Sequence, residues 1–440
     1  MKAYPKYKES GISWLGAMPE HWSVGKIKFL CNAIFAGATP STSRPEYWEN
    51  GSIPWIPSGC CHDCDIDVAP KFITEAGLQN SSTKLIPANT TVMALTGATC
   101  AQLGYLTFES CANQSVVAFV ENKDKANSRY LYYALLAARE EILSHKSGGA
   151  QGGINQEDCS NTILPFISLA EQEAIAAYLD DKSAKIDECI KLLELQKTDI
   201  LKFHDAVISE TITLGLDRQV NLKDSGLRFV GMIPRDWEVK QIKNVATFHN
   251  GDRGVNYPSG NDLVDSGVPF LTSNNLHQLI LDVDNAGCKF ITRERYDILG
   301  GAKIQINDIV YCLRGSVGNC SLNKQLTEGT VASSLMVIRP TDIVPEYLNY
   351  LLHSDIIKNQ TNVNMNGTCA ANLSADNVSR YKIPVPPVSE QKDIVDTLNK
   401  KTAKIDEAIR RIDEQINDLR AYRTALISEV VTGKIDVRNT

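Results

Sequence analysis

Two runs of this 440-residue chain carry side chains that could do chemistry, and the first contains metal-binding residue types. The run GCCHDC gathers Cys60, Cys61, His62 and Cys64, and thiolate and imidazole groups are ligands that zinc prefers. Adjacent residues cannot easily all face one metal ion, and no Cys-x2-Cys pair nearby supplies a second half. We therefore expect an exposed loop here and no metal site.

The second run, PRDWEVK, places Asp236, Glu238 and Lys240 in the order of the acidic pair and lysine of metal-dependent nucleases. Earlier in the chain the similar run PEHWSVG keeps the tryptophan, Trp22, but has none of the three charged residues. We interpret the second run as the structural start of a domain, and a self-contained nuclease remains an alternative.

The rest of the sequence lacks the motifs of three other activities. It has no Asp/Asn/Ser-Pro-Pro-aromatic tetrapeptide of adenine methyltransferases, no G-x4-GK(S/T) phosphate loop and no HExxH zinc motif. We therefore predict no catalytic residue and no bound cofactor on this chain. No apolar run approaches the length of about 18 residues that a membrane helix needs. The twelve cysteines are expected to be reduced thiols of a cytoplasmic protein.

The chain contains a long internal repeat. An offset of 215 aligns Leu222–Lys243 with Tyr7–Lys28, and nine of the 22 positions are identical. Downstream, an offset of 219 aligns Glu390–Asp436 with Glu171–Asp217, where 19 of 47 positions are identical, including the run AKIDE. Repeats of this length indicate two copies of one domain.

Each copy is expected to start as a mixed globule and to end in one long helix. Short apolar runs such as IPWI, TVMAL and SVVAFV, separated by Gly, Pro, Asn and Ser, are typical of short strands. A helix follows them at Arg129–Leu143 and again at Pro345–Ile357. The predicted divisions are globules at 1–168 and 218–386 and long helices at 169–217 and 387–440.

The two long helices share a seven-residue apolar period, which is typical of a coiled-coil seam. The seam residues are Leu179, Ile186, Leu193, Ile200 and Val207, and Leu398, Ile405, Ile412, Leu419 and Leu426. A mixed companion stripe, expected to fix the register, runs through Ile175, Lys182, Cys189, Gln196, Phe203 and Glu210, and through Ile394, Lys401, Ala408, Gln415, Tyr422 and Glu429. Two amphipathic helices lying on their own globules are the alternative, but they would not need a shared register.

Chain connectivity predicts the direction of pairing. About 40 helical residues extend for about 60 Å at ~1.5 Å per residue, and only Thr213–Asn221 links the first helix to the second globule. The second helix must run back to lie along the first. We thus predict an α+β fold with two similar mixed α/β domains, joined by a pair of long antiparallel coiled-coil helices in an internal pseudo-twofold repeat.

Several separated motifs carry a family resemblance, and they occur in the same order in both repeats. They are the opening YKESGISWLGAMPEHW, the IPWI segment, the exit PVPPVSEQ with LAEQ as its partner, the AKIDE helix and the ending LISEVVTGKID. The chain resembles the DNA-specificity subunit of type I restriction-modification systems over nearly its whole length.

The resemblance implies a non-catalytic subunit in which each globule is a target-recognition domain for one half of a bipartite DNA site. The helices would act as a ruler and as the docking place for methyltransferase subunits, expected to number two. Restriction subunits would complete the complex, and S-adenosylmethionine, ATP and Mg would belong to partner subunits. A duplicated coiled-coil scaffold that binds only proteins is the alternative, and methylation of DNA by a co-purified complex would discriminate between the two functions.

Base recognition is expected in polar loops that differ between the two halves, because Arg can pair with guanine and Asn or Gln with adenine. The candidates in the first half are Thr39, Ser41, Arg44, Ser58, Thr96 and Gln151. Those in the second half are Arg253, Tyr257, Ser273, Asn274, Asn275, Arg314 and Asn366.

The net charge of −7 is unusual for a DNA-binding chain. Most of the excess lies in residues 169–217, which have five basic and eleven acidic residues. This helix is expected to avoid phosphates and to face a partner protein or solvent. Nearly neutral globules suggest that partner subunits supply many of the phosphate contacts.

Overall fold

The computed structural model describes residues 2–147, 152–276, 279–283, 287–365 and 373–438. The chain forms two compact units. Unit 1 comprises Met1–Leu193 and Asp413–Thr440, and unit 2 comprises Glu194–Ile412. Each unit therefore combines one globule with one segment of each long helix.

Unit 1 is built from short strands and helices that precede a long helix. The strands are β1 (Tyr7–Glu9), β2 (Ala17–Pro19), β3 (Ser23–Lys26), β4 (Cys31–Ala36), β5 (Ile53–Ile56), β6 (Cys64–Ile66), β7 (Lys71–Ile73), β8 (Thr90–Ala94), β9 (Leu103–Leu106), β10 (Cys111–Ala112), β11 (Val116–Glu121) and β12 (Ile163–Phe166). The helices are α1 (Glu75–Gln79), α2 (Ser128–Ala137), α3 (Arg139–Ser144), α4 (Gln156–Asn161) and the long α5 (Leu169–Leu214), which continues into unit 2.

The central sheet of unit 1 has the order β4-β11-β8-β9-β6, and β10-β5-β7 form a second sheet. Successive side chains of a strand point to opposite faces, and in β8 both faces are apolar. Met93 enters the core that contains α2, whereas Val92 and Ala94 enter a core on the other face. The run TVMAL is therefore buried on both faces of the sheet.

Unit 2 repeats this plan. Its strands are β13 (Leu222–Asp224), β14 (Met232–Pro234), β15 (Glu238–Gln241), β16 (Ala246–Asn250), β17 (Leu263–Val264), β18 (Val268–Leu271), β19 (Lys289–Ile291), β20 (Ile309–Cys312), β21 (Cys320–Leu322), β22 (Thr330–Val331), β23 (Leu335–Pro340) and β24 (Lys382–Val385). Its helices are α6 (Arg293–Ile298), α7 (Pro345–His353), α8 (Asp355–Met365), α9 (Ala375–Ser379) and the first part of α10 (Val388–Val431). The central sheet has the order β16-β23-β20-β21.

The sequence repeat is a structural repeat. Tyr7 pairs with Pro19 in the first hairpin, and Leu222 pairs with Pro234 in the same register in the second. Strands β3 and β12 pair antiparallel before α5 begins, as β15 and β24 do before α10 begins. The two mixed α/β domains are thus built alike.

The long helices pair antiparallel inside unit 1. Leu179 of α5 and Leu426 of α10 lie in the same core. Farther along, the carboxylate of Asp187 in α5 lies 2.5 Å from the guanidinium of Arg423 in α10. Residue numbers rise along α5 while they fall along α10, so the two helices run in opposite directions.

The burial of the helices reveals one correction to the companion stripe. Each of the ten seam residues is buried or half-buried. In the expected companion stripe, however, Cys189, Gln196, Phe203 and Tyr422 are exposed. The buried companions lie four residues after the seam residues, at Ile190, Thr211, Thr402, Ile416 and Val430. The expected stripe is fully buried only at its first members, Ile175 and Ile394. A companion stripe can lie on either side of a seam, and mixed polar types on both sides concealed which one packs.

Among the helices of the described residues, none is long and apolar enough to span a membrane.

Candidate functional site

In unit 1 the exits of three strands meet on one short segment, Ala112–Val116. Ala38 after β4 donates its backbone N–H to Ala112, and Leu95 after β8 donates to Ser115. Asn113 donates in turn to Ile56, the last residue of β5. Loops from distant parts of the sequence are therefore brought to one edge of the unit.

Unit 2 has the same arrangement around Ala332–Leu335. Gly251 after β16 donates to Leu335, Leu313 after β20 donates to Ser334, and Ala332 donates to Leu271 at the end of β18. A Cβ on Gly251 would overlap the carbonyl of Ala332, just as a Cβ on Gly37 would overlap that of Ala112. Only glycine permits this close approach of two backbones.

The candidate residues lie at equivalent places around these two segments. Thr39 and Arg253 each lie two residues beyond such a glycine, and Thr96 and Arg314 each lie two residues beyond β8 and β20. Ser58 and Ser273 each begin a short 3-10 turn after β5 and β18. Unlike side chains thus occupy equivalent positions in the two units.

The loop after β4 is held by its own side chains. The hydroxyl of Thr39 donates to Gln114 (2.6 Å), and the indole of Trp48 donates to the carbonyl of Ser41 (3.1 Å). Arg44 is exposed, donates to the hydroxyl of Tyr47 and stacks over its ring at 5.5 Å. These contacts hold the loop in place while its hydrogen-bond donors and acceptors stay exposed.

The corresponding loop of unit 2 turns on Asp252. Its carboxylate accepts the backbone N–H of Gly254 (2.6 Å) and of Gly300 (3.0 Å), and these bonds hold the pKa of Asp252 below its usual range. Exposed Arg253 donates to the carbonyl of Ser333 (3.3 Å), and Tyr257 packs edge-on against Phe270.

Two neighbouring asparagines after β18 differ in their exposure. Asn274 is exposed beside Ser273, but the neighbouring Asn275 is only 3% exposed and accepts the N–H of Thr272 (2.8 Å). Asn275 is a structural cap, and we remove it from the base-reading candidates. Gln151 and Asn366 lie outside the described residues.

Sequence reasoning missed Gln114. This side chain is exposed, contacts Thr39 and lies on the segment that joins the three strand exits of unit 1. The available signal was its place in the polar run NQS between two apolar runs, at a point equivalent to Ser333 and Ser334 of unit 2.

The structure describes the side chains of both chemical runs, GCCHDC and PRDWEVK. The described residues contain no group of His, Cys, Asp and Glu that could hold a metal ion. Cys61 is buried while Cys64 is exposed. In PRDWEVK, Glu238 pairs with Lys240 (2.7 Å) on one face of β15, and Asp236 is exposed.

Comparison with known proteins places the chain in a family. Residues 19–200 and 234–418 match the model of the type I restriction modification DNA specificity domain. The chain belongs to this family. It is thus a non-catalytic DNA-specificity chain, and the resemblance seen in the sequence motifs is confirmed.

Relatives cover both repeats. Over 98% of its length the chain is 25% identical to the Type I restriction enzyme MjaIX specificity subunit of Methanocaldococcus jannaschii, covering 97% of that protein. Over 73% of its length it is 22% identical to the Type I restriction enzyme EcoBI specificity subunit of Escherichia coli, covering 69% of that protein. A chain solved in work on complex assembly and conformational transition of the type I R-M system has the same fold, with a TM-score of 0.70 at 15% identity, covering 95% of this chain and 99% of that one.

Proposed function

We propose that this chain reads a bipartite double-stranded DNA sequence, with one half-site bound by each unit. The observation that carries the proposal is the pair of equivalent strand-exit clusters, which present unlike side chains. Thr39 corresponds to Arg253 and Thr96 to Arg314, so the two clusters offer different hydrogen-bonding groups to base edges. Two unlike clusters fit a target with two unlike halves.

The target-recognition domains in this proposal are residues 1–168 and 218–386, and the helical segments are 169–217 and 387–440. The base-contacting set comprises Thr39, Ser41, Arg44, Ser58, Thr96, Gln151, Arg253, Tyr257, Ser273, Asn274, Arg314 and Asn366, with Gln114 added. The acidic α5 would dock methyltransferase subunits and not phosphates. Those subunits would supply much of the phosphate contact that dominates affinity for DNA.

The complex would carry two methyltransferase subunits and restriction subunits, and it would act in the cytoplasm. S-adenosylmethionine, ATP and Mg would be bound by those partners, which would methylate adenines and cleave DNA at sites chosen by this chain.

The test is to map methylated adenines in cells that contain the methyltransferase subunit, with and without this chain. We expect a single bipartite motif to appear only when the chain is present. The purified chain alone is expected to leave DNA unmethylated and uncut. Methylation at unchanged positions in its absence would refute the proposal.

A further inference from the structure

In unit 1 a partly buried cation lies between α2, β9 and α5. The guanidinium of Arg129 lies 4.6 Å from the ring centroid of Tyr105 and 4.9 Å from that of Tyr132. It pairs with Asp180 (2.6 Å) and with Asp65. Aromatic faces and carboxylates thus hold a positive charge inside this unit.

The described residues of unit 2 place no such cation at the equivalent position, where Glu346 stands. The hydroxyls of Tyr130 and Tyr347 donate to the carbonyls of Pro165 and Pro384, which fixes the alignment of α2 with α7. Strand β9 aligns with β21 because each pairs antiparallel with the equivalent strand of its own central sheet, and Ile280 forms a bridge to Leu322 of β21. Helix α5 aligns with α10 through the sequence repeat. On α7, Glu346 and Asn349 stand where unit 1 has Arg129 and Tyr132. On the other elements, Leu322 stands for Tyr105, Asn399 for Asp180 and Ile280 for Asp65.

These smaller or differently charged side chains border a cavity of about 1010 Å³ within unit 2. Its walls come from α5, α7, α8, β21 and α10, and they include the apolar side chains of Leu276, Leu279, Val317 and Leu352. Tyr350, the counterpart of Tyr133, remains in the wall. The cavity therefore lies where unit 1 places its own arginine.

Four polar side-chain atoms in the cavity wall are buried without a hydrogen-bond partner among the described residues: Oδ1 of Asn349, Nε2 of His204 and the hydroxyl oxygens of Tyr311 and Thr361. The amide nitrogen of Asn349 already donates to the carbonyl of Leu279 (2.9 Å), so its remaining group is an acceptor. The other ring nitrogen of His204, Nδ1, lies 3.5 Å from the carboxylate of Asp205. The amide oxygen of Asn349 calls for a ligand that donates a hydrogen bond, and the two hydroxyl oxygens can accept one as well.

The charged side chains in the cavity wall also favour a ligand that is positively charged and donates hydrogen bonds. Lys358 pairs with Asp205 (3.1 Å), and Glu346 pairs with Lys324. Asp406 lines the cavity and has no ion pair in the described part of the chain. Burial lowers the pKa of His353, so this ring adds no positive charge near neutral pH. The cavity thus has an unsatisfied amide oxygen, two hydroxyls that can accept a hydrogen bond, and a negative group.

We infer that this cavity binds a guanidinium group on an aliphatic stem, in the role that Arg129 has in unit 1. A guanidinium offers five N–H donors, and its stem can pack on apolar walls. The group could come from an arginine of a protein partner or from a free alkylguanidine. The partner source rests on the proposed function, because both long helices line the cavity and are the proposed docking place.

The binding test uses the full chain and N-ethylguanidinium chloride in isothermal titration calorimetry. We expect one saturable site with a Kd of about 1 mM, a reasonable affinity for so small a ligand. Asp406→Asn should weaken binding at least about tenfold, as should Asn349→Leu, which removes the acceptor. Asp396→Asn is the matched control, since Asp396 is an exposed acid of the same helix outside the cavity.

Tetramethylammonium carries the same charge without N–H donors and should not bind. Absence of saturable binding to the wild-type chain would overturn the inference. Equal binding by wild type and by both cavity variants would overturn it as well. Because Asp406 is exposed, its variant is expected to fold, and circular dichroism checks this directly.

An assembly experiment with the methyltransferase subunit decides whether the guanidinium group comes from a partner arginine or from a free alkylguanidine. If a partner arginine enters the cavity, Asp406→Asn should lower the number of methyltransferase subunits retained in native mass spectrometry, and ethylguanidinium should compete. If assembly is unaffected while the complex still binds ethylguanidinium, the ligand is a free alkylguanidine. If the proposed function fails, the wild-type complex will methylate no bipartite DNA motif. That result is independent of whether ethylguanidinium binds in the calorimetry.

Discussion

The indole of Trp22 donates a 3.1 Å hydrogen bond to the buried carboxylate of Glu171, at the junction of the first hairpin and α5. The repeat makes the same bond from Trp237 to Glu390, at 2.9 Å. This pair ties the opening motif of each unit to the start of the long helix that follows it. The recurrence of both motifs in each repeat thus has a direct structural cause, although they lie 149 residues apart in the first repeat and 153 in the second.

The two glutamates are predicted to differ in their contribution to stability. Glu171 is 4% exposed and also accepts the hydroxyl of Tyr4 (2.7 Å), whereas Glu390 is less buried. Each buried donor left without an acceptor costs about 1–3 kcal/mol. We expect Glu171→Ala to lower the free energy of opening of unit 1 by about 2–4 kcal/mol, and Glu390→Ala to lower that of unit 2 by about 1–2 kcal/mol.

Native-state hydrogen exchange measures these values because it separates the two units. Glu173→Ala, at an exposed position of the same helix, is the control and should change little. Equal losses at Glu171 and Glu390 would contradict the assigned hydrogen bonds.

The turn that follows α10 is predicted to tolerate no side chain at Gly433. This residue has φ +76°, and a Cβ would overlap Pro19 and lie 2.9 Å from the indole of Trp22. Gly226 has a similar φ of +69° but has no atom within 4 Å of its would-be Cβ. Gly226→Ala therefore reports the backbone cost alone, about 1–2 kcal/mol.

Gly433→Ala should cost at least about 2 kcal/mol more than Gly226→Ala, because tight packing must be displaced as well. Chemical denaturation followed by circular dichroism measures the difference. Equal losses for the two variants would show that the contact with Trp22 relaxes freely.

The sequence predicted the repeat and the helix pairing, because these depend on period and order along the chain. The place of base recognition in the polar loops stays a prediction. It could not select the companion stripe, since Phe203 and Tyr422 are apolar yet exposed, while Thr211 and Thr402 are polar yet buried. Nor could it separate Asn275 from Asn274, because one asparagine caps a turn and its neighbour faces outward. The cavity of unit 2 depends on which side chains meet across α5, α7 and α10, and spacing alone does not reveal this.

Thiol reactivity should follow burial in the cysteine-rich run and elsewhere. Burial raises the pKa of Cys31 and of Cys61 to about 12, so only about one thiol in ten thousand is ionised at pH 8. Cys189 is exposed on α5. We expect iodoacetamide at pH 8 to modify Cys189 first and to leave Cys31 and Cys61 unmodified in the folded chain, as measured by peptide mass spectrometry. All three should react in denaturant, and fast reaction of Cys61 in the native chain would refute its burial.

Arginines of the two clusters are predicted to affect different halves of the DNA target. Arg44→Ala should relax base preference in one half-site and Arg314→Ala in the other, each by ~1–3 kcal/mol of discrimination. Sequencing of methylated sites from the assembled complex measures the preference. Arg228→Ala, on the exposed hairpin of unit 2, should leave both half-sites unchanged. Unchanged target choice in both cluster variants would remove these arginines from the base-reading set.

Helix length is predicted to set the spacing between half-sites. The unit boundaries cross α5 after Leu193 and α10 after Ile412, so seven residues inserted at both points preserve the contacts within each unit and the seven-residue seam. The insertion adds about 10.5 Å at ~1.5 Å per residue, close to the rise of three base pairs at ~3.4 Å each. We expect methylated sites with unchanged half-sequences and a spacer longer by about three base pairs. The matched control inserts seven residues in α5 alone, which offsets one helix against the other and should impair assembly with the methyltransferase subunit. An assembled, active double-insertion variant that keeps the original spacer would show that these helices do not measure the distance.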